Sequence, residues 1–110
     1  MLNAKVTNVK LGIEDRGGLV VTISLEGKGW GCCYCSGSLA YESWGTDKIY
    51  GVEETASKIY ELLNFFRVSD LNQIKDKYLR VEFTNEVNGT IVKLIDIFDD
   101  NRTFTWFNKE

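Results

Sequence analysis

The chain has 110 residues, of which 44% are hydrophobic and 26% charged, and its formal net charge is -3. This length provides for one hydrophobic core, so residues 1–110 are expected to form a single domain. Neither sign of charge gathers into a run of five or more, which disfavours direct nucleic-acid binding and attachment to a membrane surface.

The first ten residues lack the apolar stretch of a signal peptide, and nowhere do eighteen apolar residues run together as a membrane span requires. The three cysteines, Cys32, Cys33 and Cys35, are an odd number packed into one segment, unlike a secreted disulfide framework. We therefore expect the chain to work in a reducing cytoplasm.

Two strands are predicted in the first 26 residues. Residues 19–26 alternate apolar and polar side chains, as a half-buried strand does. Apolar and polar residues also alternate before this strand, but the alternation changes phase between Val6 and Val9, which predicts a bulge near Thr7 and Asn8. Glycines at 17 and 18 then favour a turn, so the two strands are expected to form a hairpin.

A third strand is predicted over residues 30–37, where aromatic and small residues favour extended chain. Residues 41–51 carry no clear period and are predicted to form a loop.

The clearest helical pattern covers residues 52–68, with apolar residues at three- and four-residue steps. Glu53 and Glu54 are placed in its first turn, where the helix dipole favours negative charge. A capped single turn is expected next, because Asp70 can accept from the amide of Gln73 while Gln73 reaches back.

Strands are predicted at 78–84, 90–98 and 103–107, joined by turns at 85–89 and 99–102. The fold class is therefore α+β: a curled antiparallel sheet of about six strands, in the order β-β-β-α-β-β-β, packed on one main helix. The last strand would lie at an edge and could pair with a second copy as a homodimer.

The cysteine cluster could in principle hold zinc, but in an extended chain Cys33 and Cys35 face one side and Cys32 the other. The chain has no histidine to complete a metal site or to activate a thiol. We expect small buried thiols packed in a sheet, and neither a metal nor a cofactor.

No catalytic residues are assigned. The adjacent acids Glu14 and Asp15, like Asp99 and Asp100, fall in predicted turns, where such side chains cap backbone amides. The glycines between 27 and 37 could cradle an anion, but the spacing is neither that of a dinucleotide-binding motif nor that of a P-loop. We favour the alternative in which these glycines let the strand bend or aromatic rings lie across it.

Aromatic residues are crowded between positions 30 and 50. Such residues supply large contact area at small entropic cost and are enriched at interfaces. The alternative is that several of the rings cap the open end of a curled sheet. The candidate binding residues, for a protein or a ligand, are Trp30, Gly31, Tyr34, Tyr41, Trp44 and Tyr50.

Several segments together resemble a family of small proteins carried by bacteriophages and prophages. They are the strand at 6–15, the Gly29-Trp30-Gly31 stretch, the Val68-Ser69-Asp70-Leu71 segment after the helix, and the strand at 77–81. Family members often carry a Gly-Gln-Gly-Phe-Gly-Gly-like stretch where this chain has residues 29–34. The resemblance implies a phage-encoded accessory protein in the bacterial cytoplasm.

Function is expected to be binding and not catalysis. The first hypothesis is an inhibitor that captures a bacterial defence protein, as anti-CRISPR proteins do, through its aromatic segment and an exposed sheet edge. The second is a nucleotide or small-molecule sponge that uses glycine amides and stacking rings. A small enzyme or a zinc-binding module is the third.

Overall fold

The structure is a computed structural model that describes residues 2–14, 17–42, 45, 48–84 and 90–106. Eight strands, one helix and one 3-10 turn occur in these ranges. In chain order they are β1 Leu2–Ile13, β2 Gly18–Gly27, β3 Trp30–Cys35, β4 Ala40–Glu42, β5 Ile49–Gly51, α1 Thr55–Phe66, the 3-10 turn Leu71–Ile74, β6 Tyr78–Phe83, β7 Ile91–Ile95 and β8 Thr103–Phe104.

All the strand pairs are antiparallel and belong to one sheet. The strand order is β5-β4-β2-β1-β6-β7-β8, and β3 pairs with β2 beside β4. The sheet curls around α1, which confirms the predicted α+β class with a curled antiparallel sheet and one main helix.

β1 and β2 form the predicted hairpin, which lies at the centre of the sheet. Leu11 pairs with Val21 and Val9 with Ile23, so the alternating apolar residues of the two strands share a face. The register shifts between Val6 and Asn8. This confirms the predicted bulge, which lets the core-facing set change phase along β1.

Residues 41–51 were predicted to be a loop, and this prediction is wrong at both ends. Tyr41 pairs with Tyr50 in the ladder between β4 and β5, and Gly18 of β2 pairs with Tyr41. Three-residue strands are too short to show a recognisable alternation; β4 forms by pairing with β2, and β5 by pairing with β4.

The helix is shorter than its predicted span of 52–68. Val52 donates its backbone amide to Leu39, and the Thr55 hydroxyl donates to the same carbonyl at 3.0 Å. Glu53 and Glu54 therefore precede α1 instead of forming its first turn. Among the described residues, no helix combines the length and the apolar composition needed to cross a membrane.

The 3-10 turn after the helix has the predicted cap. Asp70 accepts from the amide of Gln73 at 3.3 Å, and the Gln73 side chain accepts from the amide of Asp70 at 3.2 Å. Ile74 in this turn is fully buried. The turn thus fixes the connection from α1 to β6 against the core.

The hydrophobic core lies between α1 and the concave side of the sheet. Its fully buried side chains come from β1, β2, α1, the 3-10 turn, β6, β7 and the segment before β4. They are Val6, Val21, Ile23, Leu39, Leu62, Ile74, Leu79, Val81 and Leu94.

Candidate binding site

Trp30 belongs to the core-facing side of β3 and is half-buried. Its indole contacts the ring of Phe83 edge to face, with centroids 5.3 Å apart. It also lies across the backbone of Gly27, where an added Cβ would overlap the indole ring. Trp30 therefore caps one end of the curled sheet, and Gly31 beside it is exposed.

Tyr34 lies on the same side of β3 and reaches the far edge of the sheet. Its hydroxyl donates to the carbonyl of Val92 at 3.4 Å and accepts from the amide of Trp106 at 3.1 Å. Burial raises the pKa of the Tyr34 hydroxyl, although the Trp106 amide partly opposes that shift. Tyr34 thus joins β3 to the opposite edge of the curled sheet.

Tyr41 and Tyr50 are exposed and stack on each other, with ring centroids 6.0 Å apart and planes inclined by 27°. Tyr41 pairs with Gly18 in the sheet, so it lies on the face opposite to that of Leu19. Trp44, also predicted as a binding residue, lies outside the described residues. Of the predicted aromatic residues, Trp30 and Tyr34 therefore hold the curled sheet together, whereas Tyr41 and Tyr50 form an exposed pair.

The distal half of β1, residues 8–13, forms an open sheet edge. β6 pairs with β1 only at Leu2–Lys5, whereas β2 continues beside β1 to Ile13. Within the described residues, the backbone of 8–13 makes hydrogen bonds only to β2. Ile13 is 76% exposed and Leu11 46% exposed, so apolar side chains accompany the unpaired backbone.

A cavity of about 660 Å³ lies at the opposite end of β1, between α1, β6 and the segment after β7. Its apolar lining includes Phe65, Phe66 and Leu79, and its charged lining includes Arg67 and Lys77. The volume falls within the range of small-molecule sites. No sequence pattern predicted this cavity, because its walls come from four separate segments.

Asp96 is a buried carboxylate in the cavity wall. It accepts from the amides of Phe98 and Asp99, each at 3.0 Å, and its other oxygen is 3.3 Å from the Arg67 guanidinium. Burial by itself raises the pKa of Asp96, but these amides and the Arg67 and Arg102 cations outweigh burial and hold the pKa below its ordinary value. Asp96 is therefore ionised at neutral pH.

The hydrogen bonds of Asp96 also fix the position of Phe98. The loop from 96 to 102 is closed by the Asp96 amide, which donates to the Arg102 carbonyl at 2.8 Å, and by two bonds to Asp99. Phe98 lines the cavity and is 91% exposed. A loop held at both ends thus presents a phenylalanine to solvent at the cavity rim.

The cysteines occupy β3 with the predicted alternation. Cys32 pairs with Leu25 on the core-facing side, and Cys33 pairs with Ser24 on the other. The expectation of buried thiols is wrong for Cys33 and Cys35, which are exposed on a side of β3 that none of the described elements covers, whereas Cys32 is half-buried. In the described part of the chain, no three side chains of metal-ligand type come together.

Comparison of the chain with protein-family models, with curated proteins and with solved structures finds no match. With no relative to indicate a site, the geometry of the structure gives two candidate binding surfaces. They are the distal end of the sheet, with the open edge of β1 and the Tyr41 and Tyr50 pair, and the cavity beside Phe98.

Proposed function

We propose that the chain is a non-catalytic binding protein that takes up an extended segment of a protein partner along the open edge of β1. The observation that carries this proposal is the side of residues 8–13 that faces away from β2: none of the described residues pairs with its backbone, and Leu11 and Ile13 are exposed beside it. An edge of this kind is a template for pairing with another chain.

Length and access support this edge over the others in the sheet. Residues 8–13 offer six consecutive positions, whereas β5 has three residues and β8 has two. The outer edge of β3 is also six residues long, but the Tyr34 hydroxyl of that strand already bonds the Val92 carbonyl and the Trp106 amide across the opening of the sheet. Because β8 is so short, we favour the β1 edge over residues 103–107, which the sequence predicted as the strand that could pair in a homodimer. The carbonyl of Thr105, just beyond β8, already accepts from the Lys58 ammonium at 2.9 Å.

Side chains near this edge would supply specificity. In strand pairing the backbone provides much of the affinity, while alternate side chains fill pockets of the partner. Leu11 and Ile13 share one face of β1, and at the same end of the sheet Tyr41, two strands away, stacks on Tyr50 on the opposite face. Tyrosines are enriched among the residues that dominate interface energies.

The class of partner follows from the resemblance to small phage proteins. We propose that the chain acts in the bacterial cytoplasm and that its partner is a bacterial defence protein, captured in the manner of an anti-CRISPR inhibitor. The alternative of a phage protein as partner is compatible with the same edge.

Affinity capture from bacterial lysates tests the edge when matched variants are compared. We expect a protein retained by the wild type and by Val92→Lys, but lost by the double variant Leu11→Lys, Ile13→Lys. Val92 is a suitable control because it is an exposed aliphatic residue in β7, away from the edge. Equal capture by all three proteins, or no specific capture, would contradict the proposal.

Hydrogen exchange on the reconstituted complex gives the more direct measurement. Strand addition should slow exchange of the amides in 8–13 that point away from β2, because they gain acceptors from the partner. Protection confined to other segments would show a different mode of binding. A purified chain that is dimeric through the same edge, as judged by the Lys variants becoming monomeric, would assign the edge to a second copy instead.

A further inference from the structure

We propose that the cavity beside Phe98 binds a small carboxylic acid with an aromatic or aliphatic body, at a site separate from the β1 edge. The cavity has about 660 Å³ of space and is lined by apolar rings together with Arg67 and Lys77. An apolar pocket with a few charged groups at one side is the usual form of a site for an amphipathic small molecule.

The apolar part of the ligand would lie against Phe65, Phe66 and Phe98. Phe65 and Phe66 are nearly buried, and their rings contact each other edge to face with centroids 4.9 Å apart, so they form a fixed wall. Phe98 lines the same cavity and is 91% exposed, and its backbone amide is held by a hydrogen bond to Asp96. A flat apolar body would pack against the wall of Phe65 and Phe66 and cover the exposed Phe98 ring.

The charge at the rim specifies the polar end of the ligand. Arg67 and Lys77 are cations, and Asp96 is an anion that takes one N–H of Arg67, so the lining carries one net positive charge. This charge complements a monoanion. The guanidinium has five N–H donors in a plane, and such a fork matches the two oxygens of a carboxylate.

Both cations are placed by fixed backbone. Arg67 is the left-handed residue that ends α1, with φ of 56°, and its amide donates to the Asn64 carbonyl at 3.1 Å. The Lys77 carbonyl accepts from Val6 at 2.9 Å, and Lys77 donates to Ile74 at 3.1 Å. Neither backbone position needs to change when a ligand binds, which lowers the entropic cost of binding.

A second, smaller cavity of about 340 Å³ beside Lys58 and Arg102 is a poorer site for an anion. The Lys58 ammonium already bonds the Thr105 carbonyl and lies 3.2 Å from Glu61. Arg102 donates to the carbonyls of Phe65 and Asn64. By contrast, the side chain of Arg67 is 62% exposed beside the larger cavity.

An NMR titration of the full chain tests the proposal with two probes of equal shape. 1-Naphthoate carries the carboxylate, and 1-naphthalenemethanol replaces it with a neutral alcohol. We expect saturable shifts for the amides of Arg67, Leu79 and Phe98 with 1-naphthoate, at a Kd of about 1 mM or below. The alcohol should bind about tenfold more weakly, since it lacks the charge-assisted bonds.

Matched variants locate the binding. Lys77→Gln should weaken 1-naphthoate about threefold or more, whereas Lys75→Gln, which changes an exposed lysine outside the cavity lining, should leave the Kd unchanged. Phe98→Ser should weaken both probes, and Tyr60→Ser, on the exposed side of α1, should weaken neither. The spectra themselves report whether each variant is folded.

Three results would overturn the proposal. They are equal affinity for the acid and the alcohol, equal Kd values for Lys77→Gln and Lys75→Gln, or shifts centred away from the cavity. Absence of binding at 5 mM, roughly five times the expected Kd, would do so as well.

Discussion

The hydroxyl of Tyr34 accepts a hydrogen bond from the amide of Trp106 at 3.1 Å, joining residues 72 positions apart in the chain. Tyr34 belongs to β3, which pairs with β2, and Trp106 follows β8 at the other end of the strand order. The two ends of the curled sheet are therefore connected by a side chain, where a closed barrel would have a backbone ladder.

Tyr34→Phe should lower the free energy of unfolding by about 1–2 kcal/mol, because the buried Trp106 amide loses its acceptor. Chemical denaturation measures this, and Tyr60→Phe, on an exposed helix position, should change it little. Equal effects of the two variants would mean that the hydrogen bond across the opening contributes nothing.

Alkaline pH should act through the same hydroxyl. Burial raises the pKa of Tyr34 in the folded chain, so above pH 10 the unfolded chain loses this proton first. The stability contributed by neutral Tyr34 is present below pH 10 and is lost as pH rises through the folded value. Wild-type stability should thus fall more steeply above pH 10 than that of Tyr34→Phe, as denaturation at each pH would show.

Gly27→Ala should destabilise the fold by about 1–3 kcal/mol, because the new methyl group overlaps the half-buried Trp30 indole. Gly31→Ala is the matched control. Its Cβ would lie 3.7 Å from the Leu25 carbonyl oxygen, an ordinary contact. Thermal unfolding compares the two variants, and a loss for Gly31→Ala as large as that for Gly27→Ala would contradict this account of the Trp30 packing.

Asp96→Asn should lower stability at pH 7 by about 1–3 kcal/mol, since it weakens the bonds from two amides and removes the charge facing Arg67. The pKa of Asp96 is lowered in the folded chain. Its contribution is therefore present above the unfolded value of about 3.9 and is lost as pH falls through the lower folded value.

Acid denaturation followed by circular dichroism would show this as a smaller loss of stability below pH 4, roughly the unfolded pKa, in Asp96→Asn than in the wild type. Asp76→Asn is the control, because Asp76 is exposed and asparagine also accepts its left-handed backbone conformation. Identical acid profiles for wild type and Asp96→Asn would remove Asp96 as the source of the pH dependence.

The thiols should react in two classes with a disulfide reagent under native conditions. Cys33 and Cys35 are exposed on the outer side of β3 and should react fast, whereas half-buried Cys32 should react slowly until the chain unfolds. Absorbance of the released thiolate counts the groups in each phase. Cys33→Ser and Cys35→Ser should each remove one fast equivalent, and a fast phase unchanged by either variant would contradict this assignment.

Local patterns predicted much of the secondary structure. The alternation over 19–26 identified β2 and its core-facing side, and the slip between Val6 and Val9 located the bulge. Asp70 and Gln73 predicted the capped turn because both partners lie within four residues. These features depend on residues that are close together in the chain, so they can be predicted from a single sequence.

Features that depend on distant residues were not predictable in this way. β4 and β5 exist because β2 extends beyond β3 and offers backbone to pair with. The sequence predicted a strand over 90–98, but β7 ends at Ile95, and the hydrogen bond from the Phe98 amide to the buried Asp96 carboxylate holds Phe98 in a loop. The separation of Trp30 and Tyr34 from Tyr41 and Tyr50 likewise required the sheet register, since all four lie close together in the sequence.

The twelve residues of β1 give the two candidate sites a common support. Asn3 lines the cavity at one end, and Ile13 ends the open edge at the other, about 30 Å away at the rise of an extended strand. A strand paired at 8–13 and a small ligand in the cavity would use different ends of β1, on either side of the register shift between Val6 and Asn8. The two ligands should therefore bind nearly independently.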